Sequence, residues 1–223
     1  MFKSINRIIL GSALALLGAC GSGSNSSTQQ FPLNDTVSAY MQMAHNYTLQ
    51  WTSNGDSYTA QVQMQPGAQH SFQGTVAYTT TVTTAVQKDG NPDYTDSVTD
   101  YFLLGPYKNL GSIDNSGDNL TLATNQTPFP DMAKTGQFGP VDDEVTYTGS
   151  TSTGAGFLVG YTNTWVLQEG QDALHAKLCE YIAYQGEAAM PGTTYNCVTI
   201  DSSGNVLGAD VNLLSFVMSG GFN

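Results

Sequence analysis

Few residues in this chain have the types and spacing that chemistry needs. Three histidines, His45, His70 and His175, stand far apart, with no His-x-x-x-His or His-Glu-x-x-His spacing to seat a zinc ion. No Gly-x-Ser-x-Gly elbow occurs, and Gly154-Ala155-Gly156 lacks the rest of a nucleotide fingerprint. Carboxylates are more crowded. Asp142-Asp143-Glu144 form a run, and Asp89, Asp93, Asp96 and Asp100 cluster in sequence. Oxygens gathered this way suit Ca²⁺, which takes six to eight of them. Asp114-x-Ser116-x-Asp118 opens like a calcium loop, but no glycine follows at the sixth position and no glutamate at the twelfth. Solvated turn and strand-edge charges, which discourage edge pairing, explain these runs more simply. A glycosidase pair needs two carboxylates facing across a cleft, which spacing alone does not show. The 12 tyrosines with Trp51 and Trp165 offer rings for sugar stacking. In a β-rich core, however, most such rings pack with the polar tip reaching water. Cys179 and Cys197 are the strongest pair, because the segment midway between them, Gly186 to Gly192, is turn-rich. The inventory assembles no catalytic set, no metal site and no cofactor site.

Composition narrows the function classes. The chain has 223 residues, with 6 Lys+Arg against 18 Asp+Glu. Lys3 and Arg7 both precede residue 20, so the body keeps four lysines (Lys88, Lys108, Lys134, Lys177), no arginine and a net charge of −14. Such a surface is repelled by phosphate backbones, which argues against nucleic-acid binding. Phosphoryl chemistry that relies on an arginine clamp is disfavoured for the same reason. The 40% hydrophobic content suffices for a core.

The N-terminus combines a basic start with an apolar stretch, Ile8 to Leu17, too short to cross a bilayer, and so reads as a signal peptide over residues 1–19. Its ending, Leu17-Gly18-Ala19-Cys20, resembles the lipobox of bacterial lipoproteins. The resemblance implies cleavage before Cys20, diacylglyceryl modification of its thiol and acylation (palmitate-type chains) of the new N-terminus. Two or three chains together anchor stably, where one holds only marginally. Residues 20–33 are then the lipidated cysteine and a tether. Gly21 to Gln30 carry neither charge nor apolar side chains, and ten such residues span roughly 17 Å. Gly21 stands where an aspartate would resemble an inner-membrane retention signal, which implies the outer membrane in a Gram-negative cell. Export also favours a Cys179–Cys197 disulfide, the alternative being a buried free pair.

These residues need a scaffold, and residues 34–223 read as a β-rich body. Asn34 and Asp35 suit helix N-caps, and Val37, Tyr40, Met41 and Ala44 recur at helical spacing, which predicts one short helix over about 35–45. His45 would end it, near the C-terminal dipole. Beyond it, Thr-, Val- and Tyr-rich runs are punctuated by Asn54-Gly55 and Asp89-Gly90, the dipeptides of tight hairpins. These predict strands Tyr47–Thr52, Ser57–Gln65, Ser71–Gln87 and Tyr94–Leu104. Tyr58, Ala60, Val62 and Met64 alternate with Thr59, Gln61, Gln63 and Gln65, the pattern of an antiparallel sheet with one dry and one wet face. Asp172–Tyr184 has helical propensity but also alternates with period two, and is read as a strand. The expected fold is mainly β, an antiparallel sandwich or (half-)barrel with one short N-terminal helix.

Two segment pairs also raise an internal duplication, with halves of about 47–125 and 140–219. Gly74–Thr81 matches Phe157–Thr164 at four of eight positions, and Ile113–Leu120 matches Ile200–Leu207 at five of eight. A Thr- and Gly-rich chain also yields such matches by chance.

The expectation for function is a lipid-anchored extracytoplasmic β-domain with a non-catalytic binding or envelope-structural role. It would meet the membrane through Cys20, with its protein or small-ligand partner not specified by sequence. A β half-barrel carrier of lipids or apolar ligands, with the helix over its mouth, is the alternative. A hydrolase or a carbohydrate-binding module ranks below both.

Overall fold

The computed structural model describes residues 29–53, 55–149, 156–184, 194–213 and 216–221. The signal segment, Cys20, the tether as far as Thr28, Asn54, Gly154 and the turn at 186–192 lie outside the described residues.

The chain begins with β1 (Phe31–Pro32) and α1 (Leu33–Gln42). Strands then follow almost without interruption: β2 (His45–Ser53), β3 (Asp56–Pro66), β4 (His70–Phe72), β5 (Thr75–Lys88), β6 (Asn91–Leu103), β7 (Lys108–Asp114) and β8 (Asn119–Thr124). After β9 (Met132–Ala133) come β10 (Phe138–Thr148), β11 (Phe157–Glu169), β12 (His175–Tyr184), β13 (Thr194–Asp201), β14 (Val206–Leu213) and β15 (Phe216–Gly221). The fold is mainly β, as the alternation implies. Twelve strands form one antiparallel sheet in the order β15-β14-β13-β12-β11-β10-β8-β7-β6-β5-β3-β2. The last strand lies against β2, so the sheet nearly closes into a barrel. Strand β4 pairs only with β5, and β1 with β9 makes a second, two-stranded sheet.

Strand parity decides which residues face inward, because successive side chains point to opposite faces. On β3, Ala60, Val62 and Met64 are buried while Gln61, Gln63 and Gln65 are exposed. The outer wall continues in Thr81, Thr83, Ser97 and Thr99, whose hydroxyls bond across β5 and β6. A lipid-embedded barrel would need an apolar outer band here, so this part of the wall suits water.

The long run predicted over Ser71–Gln87 is broken. Gln73 (φ 49°) and Gly74 (φ 81°) make a tight turn that separates β4 from β5. Phe72 stacks on Tyr101 at 4.3 Å and, with Ala77 and Leu120, buries a patch on the outer side of the sheet. Gly111 (φ 130°) sits where a Cβ would lie 2.0 Å from the Thr121 carbonyl oxygen, beside a register shift in the β6–β7 pair. Only glycine fits such a close backbone approach.

The helix starts earlier than predicted, and neither Asn34 nor Asp35 caps it. Pro32 is the N-cap and makes no side-chain cap bond. Pairing of the two short strands explains this: the Leu33 and Asn34 N–H groups, orphans of a first helical turn, donate to the Asp131 and Pro130 carbonyls. His45 is the first residue of β2 rather than a helix end. Its ring stacks on Tyr40 at 4.7 Å, and its Nε2–H donates to the Tyr40 carbonyl at 3.0 Å.

Helix α1 closes one end of the barrel. Leu33 and Val37 join the main core with Trp165, Leu167, Leu178 and Ile200 of β11–β13. At the other end of the helix, Thr80 of β5 donates its hydroxyl to the Met41 carbonyl. The helix thus bridges opposite sides of the wall. The matched segments of the suggested duplication fall at the starts of β5 and β11 and on the β7–β8 and β13–β14 turns, each pair at opposite ends of the barrel.

Candidate functional site

The inner wall between β5 and β10 carries polar groups where a core would be apolar. Register places Thr80, Asp100, Ser112, Thr121 and Thr146 side by side on five neighbouring strands. Four of these are buried, and Thr121 and Thr146 exchange a hydroxyl hydrogen bond of 2.9 Å.

Next to this belt lies a set of carboxylates that the sequence reading placed in solvent. Asp142 is 3% exposed and Glu144 9%. They are not edge charges, because β10 is an interior strand flanked by β8 and β11. A register shift between Pro140 and Asp142 lets Val141 enter the main core while Asp142, Glu144 and Thr146 share the inward face. Asp143, on the other face, accepts from Thr162 Oγ1 and Asn125 Nδ2, each at 2.7 Å.

Amides supply donors to the buried pair. Asn109 Nδ2 donates to Asp142 Oδ2 and to Glu144 Oε1, both at 2.9 Å, and Asn163 Nδ2 donates to Asp142 Oδ1 at 2.6 Å. Asn109 is itself fixed, since its Oδ1 accepts from the Gly111 N–H at 3.0 Å. Its backbone carbonyl accepts from Gln126 Nε2. Asn163 Oδ1 is buried with no protein partner, and one ordered water would satisfy it.

Tyr107 stands among these charges. Burial first, then the nearby charges of Asp100, Glu180, Asp142 and Glu144, hold its hydroxyl well above the ordinary phenol range. Its backbone N–H donates to Asn34 Oδ1 at 2.9 Å, tying it to α1. Its ring belongs to an aromatic chain, Tyr78–Phe102–Tyr107–Phe129–Trp165, with successive centroids 5.6 to 6.4 Å apart. Tyr40 and Tyr47 are likewise shifted up, chiefly by burial.

The arrangement is rich in acceptors. Its chemistry is to receive donors: amide N–H, a phenol O–H, or water. Space is scant, since the crevice beside Asn109 and Asp142 offers about 10 Å³, room for one water. Among the described residues, no group of three or more His, Cys, Asp or Glu is arranged to hold a metal.

The remaining candidates are scattered. Asp89 sits in the β5–β6 turn and accepts from the Ser57 N–H, and Asp93 is exposed. Asp114, Ser116 and Asp118 bond Asn119 and one another around the β7–β8 turn. His70 is exposed, while His175 Nδ1 lies 2.6 Å from Asp172. Trp165 is buried, and Trp51 stacks on Tyr58 beside the second core cluster. Cys179 and Cys197 are direct partners on β12 and β13, with Cα atoms 3.9 Å apart and sulfurs 1.98 Å apart.

Sequence reasoning missed Tyr107, Asn109 and Asn163, and met Glu180 only as the one break in the apolar alternation of Asp172–Tyr184. For Asn163 a signal existed, because it shares strand parity with the apolar Tyr161, Trp165 and Leu167. Compared with known protein families, curated proteins and solved structures, the chain matches none.

Proposed function

We propose that the chain is an extracytoplasmic lipoprotein, cleaved before Cys20 and held at the envelope membrane, the outer one in a two-membrane cell. Its barrel then has a non-catalytic binding or structural role carried out through its outer surface. One observation carries this reading: the crevice lined by Tyr107, Asn109, Gln126, Phe129, Val141 and Asp142 has room for about one water. The aromatic chain and the carboxylate–amide network pack around this crevice and leave it about 10 Å³. A carrier of apolar ligands needs a pocket of some hundreds of cubic ångströms. The lipobox-like Leu17-Gly18-Ala19-Cys20 and the uncharged tether support the anchored location.

Two measurements test the reading. Mass spectrometry of the mature protein should find an acylated chain starting at Cys20, and Cys20→Ala should leave an uncut, unacylated precursor. An unmodified wild-type chain starting elsewhere overturns the anchor. Titration with a fluorescent fatty acid should show no saturable site, whereas stoichiometric binding would turn the reading toward a carrier.

A further inference from the structure

We propose that the barrel stands on the membrane at one defined end, with a rim of apolar side chains seated at the boundary between lipid headgroups and acyl chains. The proposal rests on the anchored reading above and adds an orientation and a contact surface to it.

The strands alternate in direction, so each connection belongs to one of two ends. One end gathers the α1–β2 link, the starts of β5, β10, β12 and β14, and the long segment between β8 and β10. Nine large apolar side chains are exposed among the described residues, and seven belong to this end: Met43, Val76, Tyr78, Met132, Phe138, Leu174 and Leu207. Phe138 is 73% exposed and Leu174 58%. Scattered exposed apolar residues are ordinary, but several gathered at the end where the chain from Cys20 enters mark a contact surface.

The chain arrives at this same end. Phe31 and Pro32 pair with Ala133 and Met132, and Thr36 Oγ1 donates to the Gly204 carbonyl in the β13–β14 turn at 3.1 Å. Only Gly21 to Gln30 separate Phe31 from Cys20, a span of roughly 17 Å. Strands of about eleven residues tilted near 40° give a wall of roughly 28 Å. The tether's average reach is shorter than the wall, so it favours the near end against the bilayer over the far end, with Phe157 and Leu158. Asp131, Glu169, Asp172 and Asp201 lie at the near end with Lys108 and Lys134, and this excess of acids favours apolar insertion over attraction to anionic lipid.

The test uses full-length lipidated protein in phosphatidylethanolamine/phosphatidylcholine vesicles containing brominated acyl chains. Phe138→Trp, Leu174→Trp and Leu207→Trp are each compared with Leu158→Trp and with wild type, whose two tryptophans set the baseline. The added emission at the three rim positions should be quenched at least two-fold more than at position 158. Three rim positions guard against one variant failing to fold. Acylated, vesicle-bound protein with equal quenching at both ends overturns the rim contact alone. Rim emission that shifts blue without quenching, and does so with rising protein concentration, assigns the surface to a second copy and also overturns it. Absence of acyl mass at Cys20, with no flotation on vesicles, overturns the anchor and the rim contact together.

Discussion

Asn109 links two buried carboxylates through one amide nitrogen, and its own oxygen is held by the Gly111 backbone. Asn109→Leu removes both bonds to Asp142 and Glu144. Hydrogen bonds to charged groups contribute roughly 1.5–3 kcal/mol each, so urea denaturation should show a loss of about 3–6 kcal/mol. A loss under about 1 kcal/mol would mean that water replaces the amide. Glu144→Gln keeps the acceptor but removes one of the charges around Tyr107, and should be neutral or stabilising in the same assay. His45 provides a pH readout. Burial outweighs its bond to the Tyr40 carbonyl and lowers its pKa below the ordinary 6.5. The unfolded chain therefore binds this proton more tightly. The His45 contribution is intact above pH 6.5 and is lost as pH falls through the lower, folded value. His45→Gln should flatten the decline of Tm as pH falls below 6.5; an unchanged slope would assign that decline to other groups. The buried acids were not legible in the sequence. On β10 the apolar Val141 and Val145 occupy the parity opposite to Asp142 and Glu144, so hydrophobic alternation pointed the acids outward. A register shift and polar partners on β7 and β11 decide otherwise, and neither leaves a mark in the local pattern.

Hairpins were the most legible elements. Gly55, and Asp89 with Gly90, adopt the positive φ values that such turns demand, and each joins paired strands. Within Asp172–Tyr184 the strand read against helical propensity forms over His175–Tyr184, while Asp172–Leu174 belong to the preceding turn. What stayed hidden was tertiary: the break at Gln73-Gly74 inside an apparently continuous run, and a helix start set by β1 pairing with β9. The β12–β13 pair supplies a test at this scale. Its two cysteines are eighteen residues apart, and closing a loop of that size stabilises by about 3 kcal/mol in the chain-entropy model. Replacing both with serine should lower urea-derived stability by about that amount with the β circular dichroism spectrum unchanged. Free thiols in the unreduced, unfolded wild type would contradict the bond.

At the level of the whole molecule, β15 against β2 is the seam that nearly closes the sheet. Truncation after Leu213 removes β15 and bares the edges of β2 and β14. Open edges recruit other strands, so light scattering should report dimers or larger species in place of monomer. A well-behaved monomer would mean that the seam contributes little. The connectivity has a further consequence, for how the barrel is made. Along the main sheet, each strand pairs with the next long strand in the chain, so loop-closure entropy is met one hairpin at a time. Such local wiring favours rapid, sequential assembly. A chain delivered N-terminus first can add strand upon strand to β2, with α1 already present to close one end. The seam between the first and last long strands can close only when the final residues arrive.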